Sequence, residues 1–345
     1  MTSILRKFLL IFPVILLIFT ACTPDYQRYS SHRIGPFDTF TTFIGYAESE
    51  ETFRRYADIV FDRLEELHRY YDIFNAYDGI NNLYTVNANA GIAPVAVSQD
   101  IIDLILAARD AYEITGGMTN IAMGPILRIW HEYRSHGMAN PEYATLPCAE
   151  RLKEAAQFMD MRHVIIDEQE GTVFLELPGM SLDVGSVAKG FAAYLAMEAG
   201  AEAGMETMLI SAGGHVVAMG YPPGRGFWNI GVANPDGGEP SHVDTLRTTN
   251  RTVSTSSGNL RYFTVDGQSL GHIVDPTTLH PAGGFKQVVV VHPVSWMADV
   301  LSTALFILPL DEGRDIAERA GAEALWIDMN DEWTYTDGYE ALRGN

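Results

Sequence analysis

Between Ser181 and Gly190 the chain reads Ser-Leu-Asp-Val-Gly-Ser-Val-Ala-Lys-Gly, a short alternating strand that turns at Gly185 into a helix. Ser186 stands where a side-chain oxygen can cap a free backbone N–H of that helix. Val187, Phe191 and Leu195 then recur every four residues, and Gly200 ends the pattern. A strand-to-helix turn aims backbone N–H groups and a positive dipole end at an anion, with phosphate the usual guest. Lys189 adds a cation at the same mouth, and Asp183 is one acid among apolar neighbours. A buried acid needs a partner or a ligand. The same turn also serves as a plain structural junction, so it does not name its ligand alone.

With 345 residues the chain suffices for one large domain or two ordinary ones. Hydrophobic content of 47% with 19% charged residues is that of a globular protein. The formal net charge of −21 argues against nucleic acid as partner, because phosphate contacts need Lys and Arg. A bound phosphate is still compatible, since a Mg²⁺ ion and a local lysine neutralise one inside an acidic protein.

The N-terminus carries a processing signal. Arg6 and Lys7 precede an apolar run from Phe8 to Phe19, too short to span a bilayer comfortably. Thr20 and Ala21 are small and lead into Cys22, the order of a lipoprotein signal whose cysteine is lipidated after cleavage. Phe19 stands where such signals usually carry Leu, and a simple secretory signal or an uncleaved anchor is the alternative. The division read here is a signal peptide over 1–21, a lipidated Cys22 with a tether over 22–35, and one domain over 36–345. Cys148 is the other cysteine, so no intrachain disulfide framework forms once Cys22 is lipidated. It reads as a structural or loop thiol.

Phe53, Tyr56, Val60, Leu64, Leu67 and Tyr71 trace the stripe of a long amphipathic helix. Ser98 is placed to cap a second, with Ile101, Leu104, Ile105, Ala108 and Tyr112 on its buried face. A strand is read over Thr39–Tyr46. From about residue 160 short strands dominate: His163–Ile166, Thr172–Leu177, Thr207–Ile210, Trp228–Ala233 and Lys286–Val291. Helices after Ser186 and Ser295 interrupt them, and a helix over Glu312–Ala320 with a strand over Ala324–Ile327 closes the chain. The order implies an α+β fold with a mixed, largely antiparallel sheet and flanking helices.

Four later segments join Ser181–Gly190: Ser211–Gly214, Val253–Gly258, Gly271-His272-Ile273-Val274-Asp275-Pro276, and Ala298–Ala304. In order and spacing they resemble the motifs of the ApbE-type flavin transferases, the FAD:protein FMN transferases. Phe37–Thr39, Asn81-Asn82, Thr115–Gly117 and Asn120–Trp130 extend the resemblance from about residue 36 to the C-terminus. It implies a two-lobed, single-domain architecture. The implied reaction moves the FMN moiety of FAD to a threonine hydroxyl of an acceptor redox protein, with Mg²⁺ as cofactor and AMP released. It also implies an enzyme lipid-anchored at the outer, periplasmic face of the cytoplasmic membrane. Related alternatives are a FAD pyrophosphatase giving FMN and AMP, and a FAD-binding lipoprotein without turnover.

The residues divide as follows. Asp299 and Thr303 lie four apart, so one helix face presents two hard oxygen donors suited to Mg²⁺. The other reading is an exposed aspartate beside a threonine bonding back into its own helix. The resemblance implies Mg²⁺ on Asp299, Thr303 and the backbone carbonyl of Ser186. It assigns FAD contacts to Asp183, Lys189, His272 and Ile273, and to Ala122, Met123 and Gly124. That last segment also reads as a helix-entry turn with a buried methionine. Asn82 falls where family members tune flavin contacts. His272 is the residue placed to take the acceptor's proton, with Asp275-Pro276 shaping its turn. Two departures stand out. His215 follows the paired glycines where the family usually has Asn or Asp, and Leu279 replaces a usual glycine after Thr278.

Overall fold

A computed structural model describes residues 26–258 and 261–344, and every structural statement below concerns those residues. Cys22 and the segment over 1–21 lie outside them.

The chain opens with β1 (Gln27–Ile34) and β2 (Phe40–Ala47), antiparallel from Gln27↔Ala47 to Ile34↔Phe40. From Gln27 on, the polar segment expected to be a tether is therefore an edge strand. Its side chains bury little, so hydropathy does not announce it; the backbone ladder to β2 holds it. α1 (Glu50–Tyr71) follows, capped by Ser49, whose Oγ accepts from the Thr52 amide at 3.1 Å. Next come α2 (Leu83–Ala88), β3 (Val95–Ala96) and α3 (Gln99–Ile114). Ser98 precedes α3, but its hydroxyl makes no capping bond and is buried without a partner, contrary to the sequence reading. α4 (Gly124–Ala139), α5 (Ala149–Ala155), β4 (Val164–Asp167) and β5 (Thr172–Leu175) complete the first half. Cys148 is exposed at the start of α5, as a loop thiol should be.

The second half runs α6 (Ala188–Glu202), β6 (Met208–Ala212), β7 (His215–Met219), β8 (Trp228–Ala233), β9 (His242–Thr248) and β10 (Arg251–Ser257). β11 (Phe263–Val265), β12 (Gln268–Leu270), β13 (Phe285–His292), α7 (Ser295–Ile307) and α8 (Leu310–Ala320) follow. β14 (Glu323–Asp328), β15 (Trp333–Tyr335) and α9 (Asp337–Leu342) close it.

Eight strands form the main sheet in the order β1-β2-β6-β7-β10-β13-β14-β15. Each of its pairings is antiparallel, in keeping with the largely antiparallel sheet read from the sequence. The run Val288–Val291 shows how the layers stack. Val288 and Val290 pack with Leu301, Leu305 and Trp326 among the helices, whereas Val289 and Val291 face Trp228, Ile230, Val232 and Leu246 of the β8–β9 hairpin. A strand covered on both faces is apolar at every position, not at alternate ones. The helical face carries α1, α6, α7 and α8, and the site is built where α6, α7 and the middle of the sheet meet.

Candidate active site around Asp299

α6 and α7 approach closely at Gly190. A Cβ there would lie 2.8 Å from the Asp299 Cβ and 2.9 Å from the Trp296 Cα, so only glycine allows the contact. The Gly190 amide donates to Asp299 Oδ2 at 2.9 Å. In an unbroken helix it would serve the carbonyl of Ser186, four residues back. Among the described residues no backbone amide takes that carbonyl instead. Ser186 itself does not cap: α6 begins at Ala188 after a turn, without a side-chain cap. Nor do residues 181–183 form a strand; the Asp183 amide instead donates to the Ile121 carbonyl at 2.7 Å.

Asp299 is buried, with a side chain 6% exposed, which removes the reading of an exposed helix acid. Its Oδ1 accepts from Ser254 Oγ at 3.2 Å and Lys189 Nζ at 3.5 Å. Ser302 Oγ, 2.9 Å from Ser256 Oγ, donates to the Asp299 carbonyl at 2.9 Å. Ser254 and Ser256 alternate on one face of β10, so two hydroxyls face α7 from a strand the sequence marked only as a motif. Thr303 Oγ1 bonds back weakly to the Asp299 carbonyl at 3.5 Å. The residues that the resemblance assigns to Mg²⁺ all offer hard oxygens: the held Asp299 carboxylate, the Thr303 hydroxyl one turn on, and the Ser186 carbonyl, which no described backbone amide takes. That set fits Mg²⁺. Among the described residues no three His, Cys, Asp or Glu side chains cluster as a metal centre, so any such site leans on backbone and hydroxyl oxygen.

His215 closes the network from below. Gly213 and Gly214, both at positive φ, form the two-residue turn that joins β6 to β7, with Ala212 paired to His215. His215 Nε2 lies 2.9 Å from Ser295 Oγ, which donates onward to the Gly190 carbonyl at 2.8 Å. Ser295 is the first residue of α7 and spends its hydroxyl on this contact; it makes no cap. Burial first, then Lys189, brings the His215 ring down to about 4 against the pull of Asp299.

The second motif group surrounds His272. Burial, then Arg134, Arg261 and Lys189, lowers its ring to about 4, opposed by a backbone hydrogen bond with Arg261. The ring therefore titrates below the ordinary histidine range and is neutral at pH 7. Its Nδ1 is buried without a hydrogen-bond partner. Asp275 shapes the following turn, accepting from the Thr277 amide and hydroxyl at 2.7 Å each. Leu279, in the place of the usual glycine, adopts φ 62. It keeps the loop closed by donating to the Asp275 carbonyl at 2.8 Å and accepting from Trp130 Nε1 at 2.8 Å. Left-handed backbone costs a non-glycine residue about 1–2 kcal/mol, carried here by that packing. Ile273 is a core residue beneath this loop.

Asp183 has its carboxyl raised by burial, against the Gly185 amide and the charges of His131 and Arg134. Arg134 acts on both Asp183 and His272, so the two motifs share one electrostatic neighbourhood. Ala122 and Met123 are buried in a short turn entering α4, and Gly124 touches Ser181, where a Cβ would meet its carbonyl at 2.3 Å. The segment is a helix entry packed against the Asp183 loop. Asn82, assigned to flavin contacts by the resemblance, is committed to the fold. Fully buried, it caps α2 through the Thr85 amide and donates to the Asn75 carbonyl at 2.7 Å, so its side chain has a structural task. The supporting roles of Gly190, Ser254, Ser295 and Ser302 escaped the sequence; only the alternation of serines in β10 hinted at them.

Comparison with known proteins agrees with this arrangement. The model of the ApbE family matches residues 39–326. The chain is 32% identical over 262 residues to the FAD:protein FMN transferase of Treponema pallidum (strain Nichols), covering 71% of this chain and 70% of that protein. It is 29% identical over 266 residues to the FAD:protein FMN transferase of Klebsiella pneumoniae (strain 342), covering 76% and 80%. The crystal structure of the ApbE protein from Thermotoga maritima shares the fold, with a TM-score of 0.81 at 24% identity over 92% of this chain and 100% of that one. With the sheet, the Asp299 network and the motif loops in place, the chain belongs to the ApbE family.

Proposed function

We propose that this protein is a Mg²⁺-dependent FAD:protein FMN transferase that moves FMN from FAD to a threonine hydroxyl of a flavin-accepting redox protein and releases AMP. The observation that carries it is the convergence of Lys189 and Asp299, 110 residues apart, on the contact between α6 and α7. Names borne by the relatives support flavin transfer as the reaction. When bound, Mg²⁺ would be held by Asp299, Thr303 and the Ser186 carbonyl, and would neutralise charge on the pyrophosphate.

The chain's own residues do the rest. The Gly190 amide and Ser254 hydroxyl fix the Asp299 carboxylate. Lys189 offers its ammonium to phosphate at the mouth of α6, and Arg134 and Arg261 put positive charge beside His272. His272, neutral and with Nδ1 free, takes the proton of the acceptor hydroxyl. The threonine oxygen then bonds to the FMN phosphorus as the anhydride bond to AMP breaks. Asp183, Ile273 and the Ala122–Gly124 turn line the FAD side. Lipidation at Cys22 would hold the enzyme at the outer face of the cytoplasmic membrane.

Incubating the protein with FAD, Mg²⁺ and an acceptor bearing a threonine site tests this reading. A gain of one FMN on the acceptor, with AMP released in equal amount, is the expected result. Free FMN and AMP without acceptor labelling would make it a hydrolase. Unchanged FAD would leave only binding.

A further inference from the structure

We propose that His215 gives the Mg²⁺ site beside Asp299 a nitrogen ligand, so that this chain takes Mn²⁺-like divalent ions more tightly than an all-oxygen site would. The inference rests on the reading of Asp299 as a metal ligand. Ser295 Oγ lies 2.8 Å from the Gly190 carbonyl, which only accepts. A hydroxyl has one proton, so Ser295 donates it there and must accept from His215 Nε2 at 2.9 Å. Nδ1 is then the ring nitrogen left over to face Asp299.

Nδ1 is buried, in a side chain 0% exposed, and has no hydrogen-bond partner. Asp299 Oδ1 lies 3.8 Å from it. That distance is too long for a hydrogen bond, so Nδ1 stays unsatisfied in a buried place, which is costly. A divalent ion between the two atoms removes that cost. Donors about 2.0–2.2 Å from one ion stand up to about 4 Å apart, so Nδ1 and Oδ1 suit a shared cation. Lys189 Nζ, 3.5 Å from the same oxygen, does not satisfy Nδ1. Its side chain is 26% exposed and can swing toward substrate phosphate as a metal enters. The resembling family usually has Asn or Asp at this position, so the nitrogen belongs to this chain. Imidazole shifts an oxygen site from Mg²⁺ toward transition metals.

The test loads the protein with Mn²⁺ and records pulsed electron paramagnetic resonance on material grown with ¹⁴N- or ¹⁵N-histidine. The expected spectrum shows imidazole nitrogen coupling that changes with the histidine isotope and disappears in His215→Asn. Asp299→Asn should remove it as well. His215→Asn should also weaken Mn²⁺ binding roughly tenfold or more while moving Mg²⁺ binding far less. Bound Mn²⁺ with a spectrum indifferent to histidine isotope would overturn the nitrogen ligand and leave the Asp299 site standing. Absence of Mn²⁺ binding would overturn both. The isotope comparison uses the unaltered protein, so it holds even if His215→Asn fails to fold.

Discussion

Asp299 carries more of the fold than a helix acid normally does. Replacing it by Ala leaves the Gly190 amide and the Ser254 hydroxyl without their acceptor in a buried place. Such a loss costs about 1–3 kcal/mol, so Asp299→Ala should lower the urea midpoint as well as abolish turnover. Asp299→Asn keeps an oxygen acceptor and should lose activity with a smaller stability change. Equal midpoints for Asp299→Ala and the unaltered protein would contradict the network. His272 makes a pH prediction. Its folded ring sits near 4, against 6.5 for the ordinary group, because of burial and then Arg134, Arg261 and Lys189. Between these values the unfolded chain binds a proton that the folded chain refuses. Stability from this group is therefore complete above pH 6.5 and lost as the pH falls toward 4, by at most about 1.4 kcal/mol per pH unit. Asp183 works the other way, its raised carboxyl costing stability as the pH climbs past 3.8. His272→Asn should flatten the decline between pH 6.5 and 5, read by urea unfolding at each pH. In single-turnover transfer at saturating FAD, His272→Ala should be slower by about a hundredfold to ten-thousandfold. Phosphate brought against Arg134 and Arg261 offsets their charge, so the acid limb of transfer should lie above 4. A rate equal to that of the unaltered protein would confine His272 to binding.

At the scale of elements, the contact between α6 and α7 sets the site. Gly190→Ala places a methyl against the Trp296 Cα and the Ser295 carbonyl, 3.1 Å away, which are backbone atoms unable to turn aside. Forcing the helices apart should cost about 1–3 kcal/mol and sharply reduce transfer. Gly313→Ala in α8 is the control. Its methyl meets nothing nearer than 3.5 Å, so helix propensity should leave stability unchanged or raise it by up to about 1 kcal/mol. Similar losses in both variants would show that the close approach of α6 and α7 is not what matters.

For the whole molecule, the described chain starts on the sheet edge at β1, a few residues beyond Cys22. A lipid at Cys22 would thus hold the catalytic domain close to the bilayer. Cys22→Ser should leave a soluble or uncleaved form that no longer fractionates as a processed membrane protein. If the variant is cleaved and still sediments with membranes as the unaltered protein does, the lipoprotein reading fails. Among the described residues no helix is long and apolar enough to cross a membrane.

Local patterns in the sequence were enough for the helical stripe of α1 and the strands β4, β5, β6, β8 and β13, each from periodicity or turn chemistry within a few residues. The motif loops were identified by their resemblance to the ApbE family. The edge strand β1 was not legible, because an exposed strand has no apolar face to betray it. The serine caps expected at Ser98 and Ser186 did not form, since a serine before a helix is not bound to cap it: Ser295, at the start of α7, instead reaches Gly190, 105 residues away. Only the tertiary structure buried Asp299 and left one nitrogen of His215 without a hydrogen-bond partner. Burial and hydrogen-bond commitment depend on which elements meet, and no local pattern carries that information.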